Sequence, residues 1–122
     1  MDENLKKIIN YLNNNDLDKA YQLCCQNSNI KIEYIINNIK GVILLKKKKL
    51  ESAKSKFLKS IKLNKNFIDP YKNLLKLNLM KQDFKSAIEN GNKVIELDVQ
   101  KNPLSYFNLA LAYDLNKDYK KA

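Results

Sequence analysis

Hydrophobic residues along the chain recur every three or four positions, which is the spacing of an amphipathic α-helix. One run places Tyr71, Leu74 and Leu75 at this spacing, and a later run places Tyr106 and Leu109 in the same way. Each run is separated from its neighbours by a short polar break. The chain has only two Gly and two Pro, which leaves little of the turn chemistry that hairpins between strands require. The pattern therefore predicts pairs of helices joined by short turns.

The helix pairs form an internal repeat that is marked by alanine. A polar residue, a large apolar residue, two polar residues and an alanine recur four times, ending at Ala20, Ala53, Ala87 and Ala122. Successive alanines lie 33, 34 and 35 residues apart. Repeats of this length are typical of solenoids, in which each copy packs on the next. We expect one solenoid domain with four repeats, at residues 1–33, 34–67, 68–102 and 103–122.

Two of the first helices have a marked start. Asp69 precedes Pro70, and Asn102 precedes Pro103. A polar side chain can cap the first turn of a helix, and the fixed φ of proline suits that turn. The third and fourth repeats are therefore predicted to begin their first helices at these prolines.

The fourth repeat is predicted to turn between Asp114 and Asp118 and to stop within its second helix. Leu109 and Tyr113 are then expected to lack the helix that should cover them. Terminal repeats of solenoids usually end in a polar capping helix. We therefore expect the 122 residues to be the N-terminal part of a longer protein.

These residues resemble the tetratricopeptide repeat (TPR) family, whose pattern is aromatic-x2-Leu-Gly/Ala-x2-Tyr, followed by Ala-x3-Phe. The resemblance implies an all-α, right-handed α-solenoid of about three and a half helix-turn-helix repeats. The matching residues are Gly41, Ala53 and Phe57 in the second repeat, Tyr71, Leu74 and Ala87 in the third, and Tyr106, Leu109, Ala110, Tyr113 and Ala122 in the fourth.

Several positions depart from the family pattern. Polar or small residues replace large apolar ones at some of them, and the first repeat is interpreted as a degenerate or capping copy. The departures are Ile8, Cys24 and Asn27 in the first repeat, Asn37 and Lys40 in the second, and Asn78 and Gly91 in the third.

The resemblance also implies a binding surface. In this family the first helices of successive repeats line a concave groove that receives an extended peptide or a partner helix. The aligned residues form a surface that is basic at its centre and apolar at its ends, which suits a segment with acidic and apolar residues. They are Asn38, Val42 and Lys46 in the second repeat, Lys72, Asn73, Lys76 and Leu79 in the third, and Phe107, Asn108 and Leu111 in the fourth.

The net charge limits the class of partner. The formal charge is +10, and all 23 basic residues are lysine. Long-range attraction would favour anionic partners, although a coding bias toward A and T could also enrich lysine. The four lysines at 46–49 fall at a predicted helix break, where water and the helix C-terminus favour lysine. A solvated helix end is the favoured interpretation, and a phosphate or anionic-lipid patch is the alternative.

Catalytic and metal-binding chemistry is not indicated. The chain has no His, and its two cysteines, Cys24 and Cys25, are adjacent, so they neither complete a tetrahedral metal site nor readily form a disulfide. A buried cysteine beside an exposed one is predicted. Neither a glycine-rich phosphate loop nor a Cys–His or Ser–His pair occurs, so we expect a protein that is not an enzyme and needs no cofactor.

The predicted function is that of a non-catalytic scaffold that binds another protein in the concave groove. The polar start of the chain does not resemble a signal peptide and no apolar run is long enough to cross a bilayer, so a cytoplasmic location is expected. One alternative is an N-terminal TPR array that selects substrates for a larger enzyme such as a glycosyltransferase. A second alternative is RNA binding of the pentatricopeptide type, which nucleic-acid affinity with a steep salt dependence would support.

Overall fold

The described residues form seven α-helices and no strand, which confirms the all-α class. The structure, a computed structural model, describes residues 2–121, with side chains described for residues 2–117. A short 3₁₀ turn at Ile30–Ile32 precedes the third helix. The helices are α1 (Glu3–Asn13), α2 (Leu17–Cys25), α3 (Glu33–Lys46), α4 (Leu50–Leu63), α5 (Asp69–Met80), α6 (Phe84–Leu97) and α7 (Pro103–Lys121).

The chain divides into two compact bodies. The N-terminal body is Met1–Leu63 and contains α1 to α4, and the C-terminal body is Asn64–Ala122 and contains α5 to α7. In the N-terminal body α1 packs on α2, α2 on α3, and α3 on α4. In the C-terminal body α6 packs on both α5 and α7. Each helix therefore packs on a neighbour in the sequence within its own body.

Three turns between paired helices share one backbone conformation. Asn15, Lys48 and Gln82 have φ values of 59°, 62° and 59°, and each stands five residues before a marker alanine. A left-handed residue after a helix, with a backbone hydrogen bond that spans it, ends a helix in a defined way. The bonds run from the N–H groups of Asp16, Lys49 and Asp83 to the carbonyl oxygens of Tyr11, Leu44 and Asn78, at 2.8, 2.9 and 2.9 Å.

The marker alanines lie where the paired helices meet. Ala20, Ala53 and Ala87 are each fully buried. A small side chain lets two helix backbones approach closely, and larger neighbours then fill the space on either side. In the N-terminal body this surrounding core contains Ile8, Ile36 and Ile43. The marker Ala122 lies outside the described residues.

Gly41 shows how close this approach becomes between α3 and α4. A Cβ atom at Gly41 would lie 2.6 Å from Cδ1 and 2.9 Å from Cζ of Phe57. Phe57 is fully buried, so its ring has no open space into which it could move. The aromatic ring of α4 therefore occupies the volume that any larger residue at position 41 would need.

Polar residues at three buried positions find partners within their own body. Asn78 Oδ1 accepts a 2.7 Å hydrogen bond from Asn90 Nδ2, which joins α5 to α6. Asn37 Nδ2 donates to the carbonyl oxygen of Glu33 at 2.9 Å, and Ser60 Oγ on α4 donates to the carbonyl oxygen of Tyr34 at 2.7 Å. A hydrogen bond offsets most of the cost of burying an amide or a hydroxyl group.

The fourth repeat differs from the prediction. α7 continues as one helix from Pro103 to Lys121, so the predicted turn between Asp114 and Asp118 is wrong. Its buried face contains Ser105 and Ala112, whereas Tyr106 and Tyr113 are 46% and 49% exposed. The two tyrosines are exposed because no other helix in the described part of the chain covers that side of α7.

Leu109 explains the unexpected glycine in α6. A Cβ atom at Gly91 would lie 2.9 Å from Leu109 Cδ1, so the leucine of α7 occupies the space beside this glycine. Leu109 is therefore half-buried against α6, the preceding helix, because the glycine at position 91 makes room for it.

The two predicted helix starts have different outcomes. Asn102 Oδ1 accepts a 3.0 Å hydrogen bond from the N–H of Leu104, which confirms the predicted cap of α7. Asp69 is instead the first residue of α5, and Ile68 precedes the helix without a side-chain cap. The carboxylate of Asp69 still lies in the first turn, where the helix dipole favours a negative charge.

Replacing Gly41 with alanine tests the close contact between α3 and α4. Alanine normally favours a helix over glycine, but here we expect Gly41→Ala to destabilise the N-terminal body by about 1–3 kcal/mol because the new methyl group overlaps the ring of Phe57. Urea unfolding followed by circular dichroism measures this difference. Adding Phe57→Leu to the variant should restore part of the stability, and a Gly41→Ala chain as stable as the original would contradict the packing.

Candidate functional site

The start of α7 is fixed by a network around Asp98. Its Oδ2 atom accepts hydrogen bonds from the N–H of Asn102 at 3.0 Å and from Ser105 Oγ at 3.1 Å, and its Oδ1 atom accepts one from the N–H of Gln100 at 3.1 Å. These bonds, with the backbone bond to Asn102 foremost, lower the pKa of Asp98, and the positive charge of Lys72 on α5 contributes. The N-terminal end of α7 is thus held near a lysine of α5.

The predicted site residues of α5 divide into an exposed pair and a partly buried pair. Lys72 and Lys76 lie one helical turn apart and are both exposed. Asn73 and Leu79 are half-buried. Leu79 packs against the core cluster that includes Ala112 of α7, so its role is partly structural.

The predicted site residues of α7 include Phe107, the most exposed aromatic side chain among the described residues of the C-terminal body. Phe107 is 64% exposed and Leu111 is 38% exposed, and Asn108 between them is half-buried. Leu104, which is 60% exposed, lies one turn before Phe107 on the same side of the helix. Sequence reasoning missed Leu104, although the spacing of positions 104, 107 and 111 could have identified it.

The exposed lysines lie on α5 and the exposed apolar residues on α7, and both helices contribute residues to one core cluster. Lys76 lies one turn before Leu79, and Asn108 lies one turn before Ala112, with which Leu79 shares a core cluster. Side chains one turn apart on a helix occupy the same side. We call the combination of cationic and apolar side chains the α5–α7 face, and it consists of Lys72, Lys76, Leu104, Phe107 and Leu111.

The predicted site residues of α3 belong to the N-terminal body and differ in burial. Asn38 is only 6% exposed, Val42 is half-buried and Lys46 is exposed. Positions 36–39 are all buried, so one full turn of α3 is covered on every side. The prediction placed the Asn38 amide on an open surface, and this is corrected because that turn is enclosed by its neighbours.

The two adjacent cysteines differ in burial. Cys24 is buried and Cys25 is exposed, which confirms that prediction. Among residues whose positions are described, no group of three or more His, Cys, Asp or Glu side chains is arranged to hold a metal ion. Over the same part of the chain, no helix combines the length and the apolar character needed to cross a membrane.

Comparison with known proteins finds no family model that matches the chain and no curated protein that matches it. The resemblance to TPR proteins therefore depends on the repeat spacing and on the residues that carry it.

The Asp98 network predicts an acid-sensitive start of α7. A lowered pKa means that the contribution of Asp98 to stability is present above the unfolded pKa near 3.8 and is lost as the pH falls through the lower folded value. The Asp98→Asn variant should therefore melt below the original chain at neutral pH. The difference should vanish by about pH 2.

Thermal melting of both chains across this pH range measures the effect. Asp114→Asn, which removes a carboxylate from α7 outside the network, is the matched control. A difference for Asp98→Asn that is independent of pH would contradict the assignment.

The two cysteines should differ sharply in reactivity. Burial raises the pKa of Cys24 from 9.0 to about 12, so its thiolate fraction at a given pH is reduced by about a thousandfold. We expect iodoacetamide at pH 8 to modify Cys25 rapidly and Cys24 only after unfolding in urea. Peptide mass spectrometry distinguishes the two sites, and equal rates in the folded chain would contradict the burial of Cys24.

Proposed function

We propose that the protein is a TPR-type α-solenoid that acts as a non-catalytic scaffold and binds a segment of another protein. The α5–α7 face is the proposed contact surface. The recurring helix-turn-helix geometry and the TPR-like spacing support the fold, and the chemistry of the exposed side chains supports the function.

One observation carries this proposal. The side chains of Leu104, Phe107 and Leu111 are exposed in a row on α7, and Lys72 and Lys76 are exposed on α5, where the charge of Lys72 acts on Asp98 just before α7. Large apolar side chains in a contiguous exposed patch mark interaction surfaces more often than isolated ones do. Aromatic residues in particular carry much of the binding energy of protein interfaces.

The distribution of lysine supports the same conclusion. Although the chain has 23 lysines, residues 102–116 contain none, and this is its longest lysine-free stretch. The stretch coincides with the part of α7 that exposes Leu104, Phe107 and Leu111. A surface that met only water would have no reason to lack the residue that covers the rest of the protein.

The chemistry of the face indicates the chemistry of its partner. An amphipathic helix or an extended peptide could place apolar side chains against Phe107 and Leu111 and carboxylates near Lys72 and Lys76. Each lysine contributes a charge that water screens, so we expect the apolar contacts to provide most of the affinity and the lysines to favour an acidic partner.

Affinity capture with a pair of variants tests this function. The face variant carries Lys72→Glu, Lys76→Glu and Phe107→Ala. The control variant carries Lys85→Glu, Lys117→Glu and Tyr106→Ala, which makes the same change in charge and removes one aromatic ring outside the face. Both must show the circular dichroism spectrum and melting behaviour of a folded chain. Nuclease treatment of the lysate removes partners that are held through nucleic acid.

We expect a protein that binds the original chain and the control variant and is lost from the face variant by about tenfold or more, since apolar anchors at the centre of an interface dominate affinity. Quantitative mass spectrometry of the captured material provides the measurement. Equal recovery with all three chains, or recovery of nucleic acid alone, would rule out the α5–α7 face as a protein-binding surface.

A further inference from the structure

The N-terminal body contains a cleft, whereas the α5–α7 face belongs to the C-terminal body. It has a volume of about 430 Å³ and is open to solvent on one side. Ligand sites generally occupy concave spaces of roughly 300–1,000 Å³, so this cleft is large enough for one or two amino-acid side chains. Three lining residues come from α2 and the others from the end of α3 and its turn: Asp18, Tyr21, Gln22, Ile43, Leu44, Lys47 and Lys49.

The inner part of the cleft is apolar and aromatic. Ile43 and Leu44 belong to the buried side of α3, and the half-buried ring of Tyr21 lines the cleft from α2. Lys40 Nζ lies 6.0 Å from the centroid of the Tyr21 ring and stabilises the ring position through a cation–π contact. An apolar side chain that entered the cleft would therefore meet apolar atoms and an aromatic ring.

The rim of the cleft is cationic and carries one carboxylate. Lys47 Nζ forms an ion pair with Asp18 across the boundary between α2 and the turn. The hydrogen bond and the charge of Lys47 are the main causes that lower the pKa of Asp18. The charge of Lys49 acts on the same carboxylate and lowers its pKa further. Asp18 thus holds a position that a carboxylate from a partner could take.

We propose that this cleft binds a peptide segment in which a large apolar side chain is adjacent to a carboxylate. The apolar side chain packs on Leu44 and Tyr21, and the carboxylate pairs with Lys47 and Lys49 in competition with Asp18. This site does not depend on the α5–α7 face, because all of its residues lie in the N-terminal body.

The composition of the cleft favours a peptide over a nucleic acid. Proteins that bind single-stranded nucleic acid stack successive bases on exposed aromatic rings. Tyr21 is the one aromatic residue that lines this cleft. Bidentate contacts to phosphate groups depend on arginine, which the chain lacks. An apolar interior with a cationic rim is complementary to a peptide in which an acidic residue is next to an apolar one.

The lysine run provides a matched pair of variants. Lys47 and Lys49 line the cleft, whereas Lys46 and Lys48 belong to the same run and do not line it. The site variant carries Lys47→Gln and Lys49→Gln, and the control variant carries Lys46→Gln and Lys48→Gln. Both lose two positive charges within four residues, so a general electrostatic attraction would affect them equally.

The probe is the terminally blocked peptide Ser-Asp-Glu-Phe-Glu-Ser, titrated into the ¹⁵N-labelled chain and followed by two-dimensional NMR. Two further peptides replace Phe by Ser or the acidic residues by their amides. A ten-residue oligothymidylate and inorganic phosphate test other anions. Amide shifts at Tyr21, Gln22 and Leu44 report on the cleft in the original chain, whether or not any variant folds.

We expect the Phe-containing acidic peptide to shift these amides, and the two altered peptides to bind at least about tenfold more weakly. The site variant should bind the probe about tenfold more weakly and the control variant less than about twofold more weakly, since the charges act at short range. Asp18→Asn should tighten binding several-fold because it removes the competing carboxylate, and a purely structural role for the ion pair would not produce this gain.

Three results would overturn the proposal. They are an absence of shifts at the cleft, an equal loss of affinity in both lysine variants, or stronger binding of the oligothymidylate or phosphate at the same amides. The variant with Lys72→Glu, Lys76→Glu and Phe107→Ala should bind the probe as the original chain does. The cleft and the α5–α7 face can therefore fail or succeed independently.

Discussion

The close approach of two helices at a buried alanine is the constraint on which the other features of each helix pair depend. Ala20, Ala53 and Ala87 are fully buried, and larger neighbouring side chains must fill the volume that these small residues lack. Phe57 fills the corresponding space beside Gly41. The short turn with one left-handed residue follows from the same constraint, because it reverses the chain within the small distance between the paired helices.

The structure also shows how a buried polar residue and a helical glycine are accommodated. Asn78 remains buried because Asn90 on the paired helix donates a hydrogen bond to it, and Gly91 leaves space that Leu109 of the next helix fills. In both cases the change is compensated by a residue from a helix that lies in contact with it. Individual repeats can therefore diverge in sequence while the hairpin geometry is kept.

Charge and apolar exposure are distributed differently in the two bodies. In the N-terminal body a lysine-rich turn borders a cleft with an apolar interior, and the ion pair between Lys47 and Asp18 crosses its rim. In the C-terminal body α7 exposes apolar side chains and α5 exposes lysines. Both proposed surfaces therefore combine positive charge with apolar atoms. The high net charge therefore acts at defined places as well as over the whole surface.

Sequence reasoning alone predicted the all-α class, the spacing of the helix pairs, the cap of α7 at Asn102 and the different burial of Cys24 and Cys25. These features depend on neighbours in the chain or on a helical period, both of which are present in the order of residues. Four other features required the packing of the folded chain: Asn38 is enclosed, Leu109 packs beside Gly91, Leu104 is exposed, and α7 continues without a turn. A helical period divides a helix into faces. Which neighbour covers each face depends on residues that are distant in sequence, so the period alone does not predict the covering helix.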